Sequence, residues 1–582
     1  MDPAERKKSL TQARETYEKL LQQFPQHPSL ASAVFERAKC LALLGDPGTA
    51  TNELRRFQAD PLRGAPGAPL ALLRLSTLLR AQGKAAEAAA LMNDCRTQHE
   101  ANLAKDPARA DWAPMLQYEH ALALKESGKL PEALASFESL AKQFPARPEA
   151  VNATWRAGQC RREQAAAQVA AAYKTLARSG ASPEEIAAAN RAVDEGVASL
   201  RRTVESFRSQ ATEIARKGKG TEPHLRILYE TAWCYRALAD GEMEAARVRL
   251  RREALQRMQA NAAKNLPPGQ SPPAFLEPEI PLALVPPQPS EKLAREQYQS
   301  LIAAAPQAPL AVQAQFELAE MLAQTAETDA ALELLAEALT CNPPVELADA
   351  IRLRMASCFL ARKDPKRALA QAQPLAAGAP GRFAAEARYL VGEALLQQQD
   401  WARAVEALLP FRDLEPLRNV PGVSDRALLR LGYAYAQTGQ WDAGRQTLDA
   451  LVQRYPQSPW IHEARYGVGW AWQNLKQYDN AVAAYAEVTR RTAAEAAARA
   501  QLQIGLCRLE QKRFPEAAQA LLAVPFTYDY PECQGQALCE AARAYVEMKQ
   551  PAEAAKLLER VVKDFPKSPW AQVARQRLTE IK

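Results

Sequence analysis

The side chains that most often carry chemistry are scattered along this chain of 582 residues. The chain has five histidines: His27, His99, His120, His224 and His462. None has a second histidine or an acidic residue at the helical spacing that a metal site uses. Cys95 stands four residues before His99, but two ligands do not complete a zinc site. His120 occupies an apolar position in the sequence pattern, which indicates a core residue.

Phosphate-binding and nucleophilic motifs are equally weak. Gly218-Lys-Gly220 is a basic turn that does not follow a strand, so it lacks the frame of a phosphate loop. Glu184 and Glu185 stand at a helix start, where they complement the helix dipole. No nucleophile stands beside a base. We therefore expect no catalytic residue, no metal and no cofactor, although residues distant in sequence can still converge in a fold.

The elements that hold these residues follow a repeat in the second half of the chain. Seven short windows there have nearly the same sequence. The last residues of successive windows lie 37, 36, 40, 37, 36 and 37 positions apart. A period in this range predicts a solenoid of stacked helical units, which offers an extended surface for other molecules. The seven repeated windows are Ala326–Ala331, Lys363–Ala368, Gln399–Ala404, Gly439–Gly444, Lys476–Ala481, Lys512–Ala517 and Lys549–Ala554.

Each unit has the pattern of two amphipathic helices, here named helix A and helix B. Around Gly439, the residues Leu431, Gly432 and Tyr435 share one face of helix A, as the three- and four-residue spacing requires. Gly439 ends helix A, and Pro456 cannot continue helix B. Small residues stand where two helices approach closely, and large residues fill the space between them.

This small-large-small pattern resembles the tetratricopeptide repeat family over residues 1–150 and 290–582. The family unit has about 34 residues, and these units are two or three longer. The linkers Tyr455-Pro-Gln-Ser-Pro459 and Phe565-Pro-Lys-Ser-Pro569 are similar to those of bacterial cell-envelope members. Those members include periplasmic coordinators of the Tol-Pal system and outer-membrane assembly lipoproteins. The resemblance implies a non-catalytic scaffold.

The predicted fold class is all-α, a right-handed solenoid of helical hairpins with an elongated helical middle section. Two long helices, Pro183–Lys217 and Pro223–Lys264, are expected to project as a hairpin. A proline-rich strap follows, with nine prolines in 23 residues. The predicted segments are N-terminal repeats 1–150, elongated helices 151–266, the strap 267–289, regular repeats of 36–40 residues 290–567 and a C-terminal capping helix 568–582.

Charge, hydropathy and cysteine content restrict the partners and the cellular compartment that the sequence predicts. The net charge of +7, from 74 basic and 67 acidic residues, is too small over this length to predict nucleic-acid binding. No apolar run is long enough to span a membrane. The nine cysteines are an odd number, and several recur at one packing site in successive repeats, too far apart for disulfides. Cysteine usage therefore favours a reducing compartment weakly.

The first helix, from Asp2 to Pro25, has the pattern of a helix B without a helix A before it. It is either an N-terminal cap or the start of a chain whose upstream segment has been removed. We favour removal, and a signal peptide is a candidate for the lost segment. The expected location is periplasmic or cell-envelope if such a signal is missing, and cytoplasmic otherwise.

The best binding candidate is the concave side of the second half. In each helix A, the residue after the small one points about 100° away from the packing face. An aromatic and apolar stripe there suits an extended or helical peptide. The alternative is that neighbouring helices A, or the proline strap, cover the same side chains. The predicted groove residues are Tyr389, Glu393, Leu429, Tyr433, Gln437, Tyr466, Trp470 and Asn474.

The sequence thus predicts a protein–protein interaction scaffold, in bacterial cell-envelope organisation or assembly. The alternative is a peptide-binding recruiting or regulatory subunit of an enzyme complex. The expected partner is a protein or peptide, not nucleic acid. The sequence does not indicate an oligomeric state.

Overall fold

The computed structural model describes residues 3–581 except 104, 146, 177, 179–180, 218–219, 265–279, 379–381 and 493. The side chains of residues 3, 217, 261–264 and 382 are also outside this description. All regular structure in the described part is helical, without a strand. The predicted all-α solenoid fold is confirmed. Most of the predicted proline strap, residues 267–279, lies outside the described residues.

The chain forms two compact units, residues 1–241 with 289–297 and residues 242–288 with 298–582. Two helices belong partly to each unit, α10 (Glu222–Lys264) and α11 (Pro289–Ala304). This division does not test the five predicted segments, and the projection of the middle helices stays a prediction. Within the described residues, no helix is long and apolar enough to cross a membrane.

The first unit is a succession of antiparallel neighbours whose apolar faces meet in one core. Fully buried Phe57, Met92, Leu116 and Phe137 come from successive hairpins of this core. The core therefore grows along the chain, as a solenoid requires. The helices of this unit before α10 are α1 Pro3–Gln23, α2 Leu30–Leu43, α3 Pro47–Arg55, α4 Ala68–Ala81, α5 Ala85–Leu103, α6 Trp112–Glu126, α7 Leu130–Gln143, α8 Pro148–Leu176 and α9 Pro183–Lys217.

The long helices α8 and α9 pack along each other, and the first part of α10 joins them in a separate apolar cluster. Phe207 of α9 lies against Gly158 of α8, where a Cβ would fall 2.3 Å from the ring. A buried ion pair links Arg162 of α8 to Glu230 of α10 at 2.7 Å. These contacts explain why helices this long hold together without a repeat turn.

The second unit contains the regular repeats. Each helix A packs on its own helix B and on the next hairpin. The 15 residues between Leu408 and Ser424 contain α18 and a short 3-10 helix, Glu415–Leu417. After α11, the helices are α12 Pro309–Gln324, α13 Thr328–Thr340, α14 Val345–Ala361, α15 Pro365–Ala376, α16 Arg382–Gln397, α17 Trp401–Leu408, α18 Pro410–Asp413, α19 Ser424–Gln437, α20 Trp441–Arg454, α21 Ile461–Asn474, α22 Tyr478–Arg491, α23 Glu495–Glu510, α24 Phe514–Thr527, α25 Pro531–Glu547, α26 Pro551–Asp564 and α27 Pro569–Ile581.

A fixed interval of 16 residues defines the contact between helix A and helix B. A glycine of helix A touches the large side chain that stands 16 positions later in helix B, so closely that an added Cβ would lie 2.4–2.7 Å from it. Only glycine allows the two helices this approach. The four pairs are Gly392 with Leu408, Gly432 with Leu448, Gly469 with Tyr485, and Gly505 with Leu521.

The turns between helix A and helix B share one backbone geometry. In the turn at Lys476, the Gln477 N–H donates to the Trp472 carbonyl at 3.0 Å, and the Lys476 N–H donates to the Gln473 carbonyl at 2.9 Å. This is the Schellman motif, which needs a left-handed residue after the helix. The first residue of all seven repeated windows has a positive φ, between 58° and 72°: Ala326, Lys363, Gln399, Gly439, Lys476, Lys512 and Lys549.

The described end of the proline-rich segment packs within the second unit. Val285 is buried, whereas Leu282 and Leu284 are exposed. Arg247 donates from Nε to the Ile280 carbonyl at 2.8 Å. This part of the segment is therefore anchored at buried Val285 and at the Ile280 carbonyl.

Candidate functional site

Four of the eight predicted groove residues surround one pocket in the second unit. This pocket has a volume of about 470 Å³, and Leu429, Tyr433, Tyr466 and Trp470 line it. Leu429 and Tyr433 are one turn apart on α19, and Tyr466 and Trp470 are four residues apart on α21. A side chain four positions on lies on the same helical face, so each helix contributes a matched pair.

The aromatic rings in the pocket meet edge to face. Trp441, the first residue of α20, packs on Trp470 with ring centroids 5.2 Å apart and an interplanar angle of 79°. Tyr433 packs on Trp401 in the same way at 5.9 Å. Aromatic pairs favour this arrangement because the ring edge is positive and the face negative. Tyr433 still keeps 43% of its surface exposed, so part of its ring is available to a ligand.

Glycines form the base of this pocket. Gly432, Gly444 and Gly467 all line it, together with Leu448. A Cβ on Gly467 would lie 2.6 Å from Cδ1 of Leu448. The pocket therefore lies above a closely packed floor, in which the side chain of Leu448 occupies the space that side chains on Gly432 and Gly467 would need.

Tyr389 and Glu393 on α16 do not line the pocket. Tyr389 is 7% exposed, and the guanidinium of Arg426 covers its ring at 4.7 Å. Burial raises the pKa of Tyr389 to about 12, and the neighbouring Glu393 carboxylate acts in the same direction. Glu393 forms an ion pair with Arg430, in which Nε of Arg430 and Oε1 of Glu393 are 2.5 Å apart. These two predicted residues hold α16 and α19 together, and no free ring face is left on Tyr389.

Gln437 and Asn474, the predicted partners of a peptide backbone, are both exposed at the ends of their helices. The Asn474 amide donates to the Trp470 carbonyl of its own helix at 2.8 Å. Its side-chain carbonyl oxygen remains as an acceptor. Neither residue lines the pocket.

A second pocket of about 400 Å³ adjoins the first. Tyr466 and Arg499 line both pockets. Tyr530, Cys533 and Trp570 line only the second. Since Trp570 belongs to α27, the concave surface continues from α19 to the last helix of the chain.

Sequence reasoning did not place Trp441, Arg430 or Arg499 in the first pocket, although all three line it. Trp441 lies inside a repeated window, but the direction of its side chain depends on the turn before it. Arg499 stands four residues after Glu495 on α23, where it resembles an ordinary surface pair. Nothing in its sequence context marks the ring of Tyr466 beneath it, 5.1 Å away.

Burial perturbs two groups outside the pockets that have nucleophilic or acid–base potential, Cys95 and His120. Burial raises the pKa of the Cys95 thiol to about 12. Burial, with Arg96 nearby, lowers the pKa of His120 to about 4. In the described part of the chain, no three His, Cys, Asp or Glu side chains cluster closely enough to hold a metal ion.

Sequence models of one family match both units. Models described as tetratricopeptide repeat match residues 426–458, 536–568, 118–196 and 463–530, and a tetratricopeptide repeat-like domain matches residues 284–408. Together these ranges span more than half of the chain. The chain belongs to the tetratricopeptide repeat family. Members of this family are generally non-catalytic scaffolds for interactions with proteins or peptides.

Solved structures similar to this tetratricopeptide repeat protein share little sequence with it. A tetratricopeptide repeat protein from Parabacteroides merdae is 18% identical, with a TM-score of 0.32, over 43% of this chain and 91% of its own. Yeast Tom70 is 12% identical, with a TM-score of 0.32, over 88% and 95%. Cut9 from the Cut9–Hcn1 hetero-tetramer of the APC/C is 12% identical, with a TM-score of 0.30, over 99% and 94%. No curated protein matches the sequence.

Proposed function

We propose that this tetratricopeptide repeat protein is a non-catalytic scaffold that holds a peptide segment of a partner protein in the concave groove of its second unit. The observation that supports this most strongly is the pocket between α19, α20 and α21. It combines a volume of about 470 Å³ with rings from three helices and a half-exposed Tyr433. Aromatic side chains dominate binding because each offers a large apolar area at a low entropic cost.

Peptide selection on the purified full chain tests this proposal. Random peptides displayed on phage are selected against the wild type and against the double variant Tyr433→Ala/Trp470→Ala. A control variant, Trp460→Ala/Phe526→Ala, removes two aromatics of similar exposure, 37% and 40%, that lie outside the first pocket. We expect the wild type and the control to enrich the same peptides and the double variant to lose them. Identical enrichment on all three proteins would remove the groove from the proposal.

The proposed setting is the bacterial cell envelope, and the proposed location is the periplasm. This rests on the resemblance of the Tyr/Phe-Pro-x-Ser-Pro linkers to cell-envelope members of the family. The two linkers share a local structure, because Ser458 and Ser568 each accept the N–H of the tryptophan two residues on at 3.2 Å. Fractionation of cells that express the native gene tests the setting. A purely cytoplasmic protein would contradict it and would favour a recruiting subunit of an enzyme complex.

A further inference from the structure

Three arginines border the aromatic stripe, and two of them contact an acceptor of the protein through Nε. Arg430 pairs with Glu393 at 2.5 Å. Arg426 stacks on Tyr389 and donates from Nε to the Gly422 carbonyl at 2.7 Å. The third, Arg499, stacks on Tyr466 with its guanidinium carbon 5.1 Å from the ring centroid.

Arg499 differs from the other two because no acceptor of the described residues lies within hydrogen-bond distance of its Nε. Its Nε–H is buried and has no hydrogen-bond partner among the described residues. Its one ion pair is with Glu495, where Nε and Oε1 are 3.6 Å apart, beyond hydrogen-bond distance. The side chain nevertheless keeps 43% of its surface exposed. Arg499 is thus fixed in place by the ring of Tyr466 while its charge faces the groove.

Arginine in this state suits a carboxylate. The guanidinium presents five N–H donors in a planar fork that matches the two oxygens of a carboxylate, and stacking on an aromatic ring orients that fork. Glu495 leaves this fork unsatisfied, because its nearest carboxylate oxygen lies 3.6 Å from Nε, beyond hydrogen-bond distance. A carboxylate from outside would supply the missing acceptor.

The first pocket suits an aromatic side chain. Tyr433, Trp441 and Trp470 supply ring edges and faces at several angles, and Gly467 adds no side chain to the lining of the pocket. An aromatic ring is flat enough to enter between perpendicular rings and gains edge-to-face contacts there.

We propose that the ligand is an extended segment that places an aromatic side chain among Tyr433, Trp441 and Trp470 and an aspartate or glutamate against Arg499. This inference rests on the proposed function, because it names the ligand of the same groove. Arg499 lines both the first and the second pocket. The acidic residue therefore lies within a few positions of the aromatic one, in the part of the segment that passes from the first pocket to the second.

The test compares peptides selected from one library of random decamers on the wild type, on Arg499→Gln and on Arg490→Gln. Arg490 is an exposed arginine outside both pockets and serves as the control. We expect the wild type and Arg490→Gln to enrich an aromatic residue with Asp or Glu within three positions. Arg499→Gln is expected to keep the aromatic preference and lose the acidic one. Circular dichroism confirms that each variant is folded.

A double-mutant cycle then isolates the interaction between Arg499 and the acidic residue of the peptide. The Kd of the best peptide and of its Asp→Asn or Glu→Gln analogue is measured on the wild type and on Arg499→Gln. We expect about a tenfold loss for the analogue on the wild type and no loss on Arg499→Gln. An equal loss on both proteins, or aromatic peptides without an acidic preference, would overturn this inference while leaving the groove intact. A library from which nothing is enriched would instead contradict the proposed function.

Discussion

Gly469 lies directly beneath the ring of Tyr485, and a Cβ on Gly469 would be 2.7 Å from Cδ1 of that ring. The hydroxyl of Tyr485 donates to Oε1 of Gln473 at 2.8 Å, which fixes the ring from its other end. The ring is fully buried. The tyrosine therefore cannot move away from an added methyl group without breaking this hydrogen bond or the packing between α21 and α22.

The first prediction concerns this contact. We expect Gly469→Ala to lower the free energy of unfolding of the second unit by about 2 kcal/mol, because overpacking outweighs the gain in helix propensity. Urea unfolding followed by tryptophan fluorescence measures the change. Gly535→Ala, on helix α25 of the same unit, is the control, since the nearest atom to a Cβ there would lie at an ordinary contact distance of 3.4 Å. Equal free energies of unfolding for the two variants would contradict this prediction, because they would show that α21 and α22 can move apart with little loss of stability.

The second prediction concerns the left-handed residue of a repeat turn. Lys476 has φ 60°, a conformation that is unfavourable for a residue with a Cβ. We expect Lys476→Gly to raise the free energy of unfolding by about 0.5–1 kcal/mol, since glycine adopts this φ without steric cost. Lys476→Ala, which keeps the Cβ, serves as the control and should change little. A lower stability of the glycine variant would contradict this prediction. It would mean that the lysine side chain contributes more to the free energy of unfolding than the relief of backbone strain does.

The third prediction concerns the buried ion pair of the first unit. Arg162 and Glu230 have side chains that are 13% and 4% exposed. We expect Arg162→Met to lower the free energy of unfolding by about 3–5 kcal/mol, because the buried Glu230 carboxylate would lose its cationic partner and keep only the neutral amide of Gln159. Hydrogen exchange of amides in α8 and α10 reports the local loss. The neighbouring Arg161→Met breaks a more exposed pair with Glu138 and should cost less than about 1 kcal/mol.

The fourth prediction is a pH dependence. The pKa of His120 is lowered to about 4 by burial and by Arg96, with a smaller contribution of Lys129 in the same direction and an opposing one of Glu100. An unfolded histidine titrates near pH 6.5. The unfolded state therefore binds a proton more tightly, and the folded state loses stability as the pH falls from about 6.5 to 4.

We expect this loss to approach about 3 kcal/mol for the first unit at pH 4. His120→Gln keeps an acceptor for Arg96, whose Nη1 lies 2.9 Å from Nδ1 of His120, but does not titrate. Hydrogen exchange measures the protection of the α6 amides at pH 7 and at pH 4.5. This protection should decrease from pH 7 to pH 4.5 in the wild type, and decrease less in the variant. The same pH response in both proteins would assign the acid sensitivity to other groups.

Much of the fold follows from sequence because each repeat is local. Helix A, turn and helix B are set by apolar periodicity and by residues within about 20 positions, so the pattern around Gly439 is sufficient to predict its hairpin. The left-handed turns were harder to foresee. Lysine is an unusual residue at positive φ, and only the alignment of Lys476 and Lys512 with Gly439 marks the common position.

The groove was half predictable for a related reason. Helical geometry fixes the direction of Tyr433 and Trp470 from the neighbouring glycines. It does not say which side chains of the next repeat cover them. Tyr389 follows the same periodicity, yet Arg426 from the following helix A covers its ring. Long-range contacts of this kind, such as that of Phe207 with Gly158, depend on how separate hairpins meet.

The constant 16-residue interval between helix A and helix B has a consequence for how this chain can grow. An extra residue between Gly432 and Leu448 would rotate the leucine off its glycine and open the hairpin, whereas extra residues between hairpins leave every such pair intact. The longest spacing, 40 residues, contains the connection from Leu408 to Ser424. Insertions and deletions in homologues should therefore accumulate between hairpins, and a reporter domain inserted between the exposed residues Pro421 and Gly422 should leave the neighbouring hairpins folded.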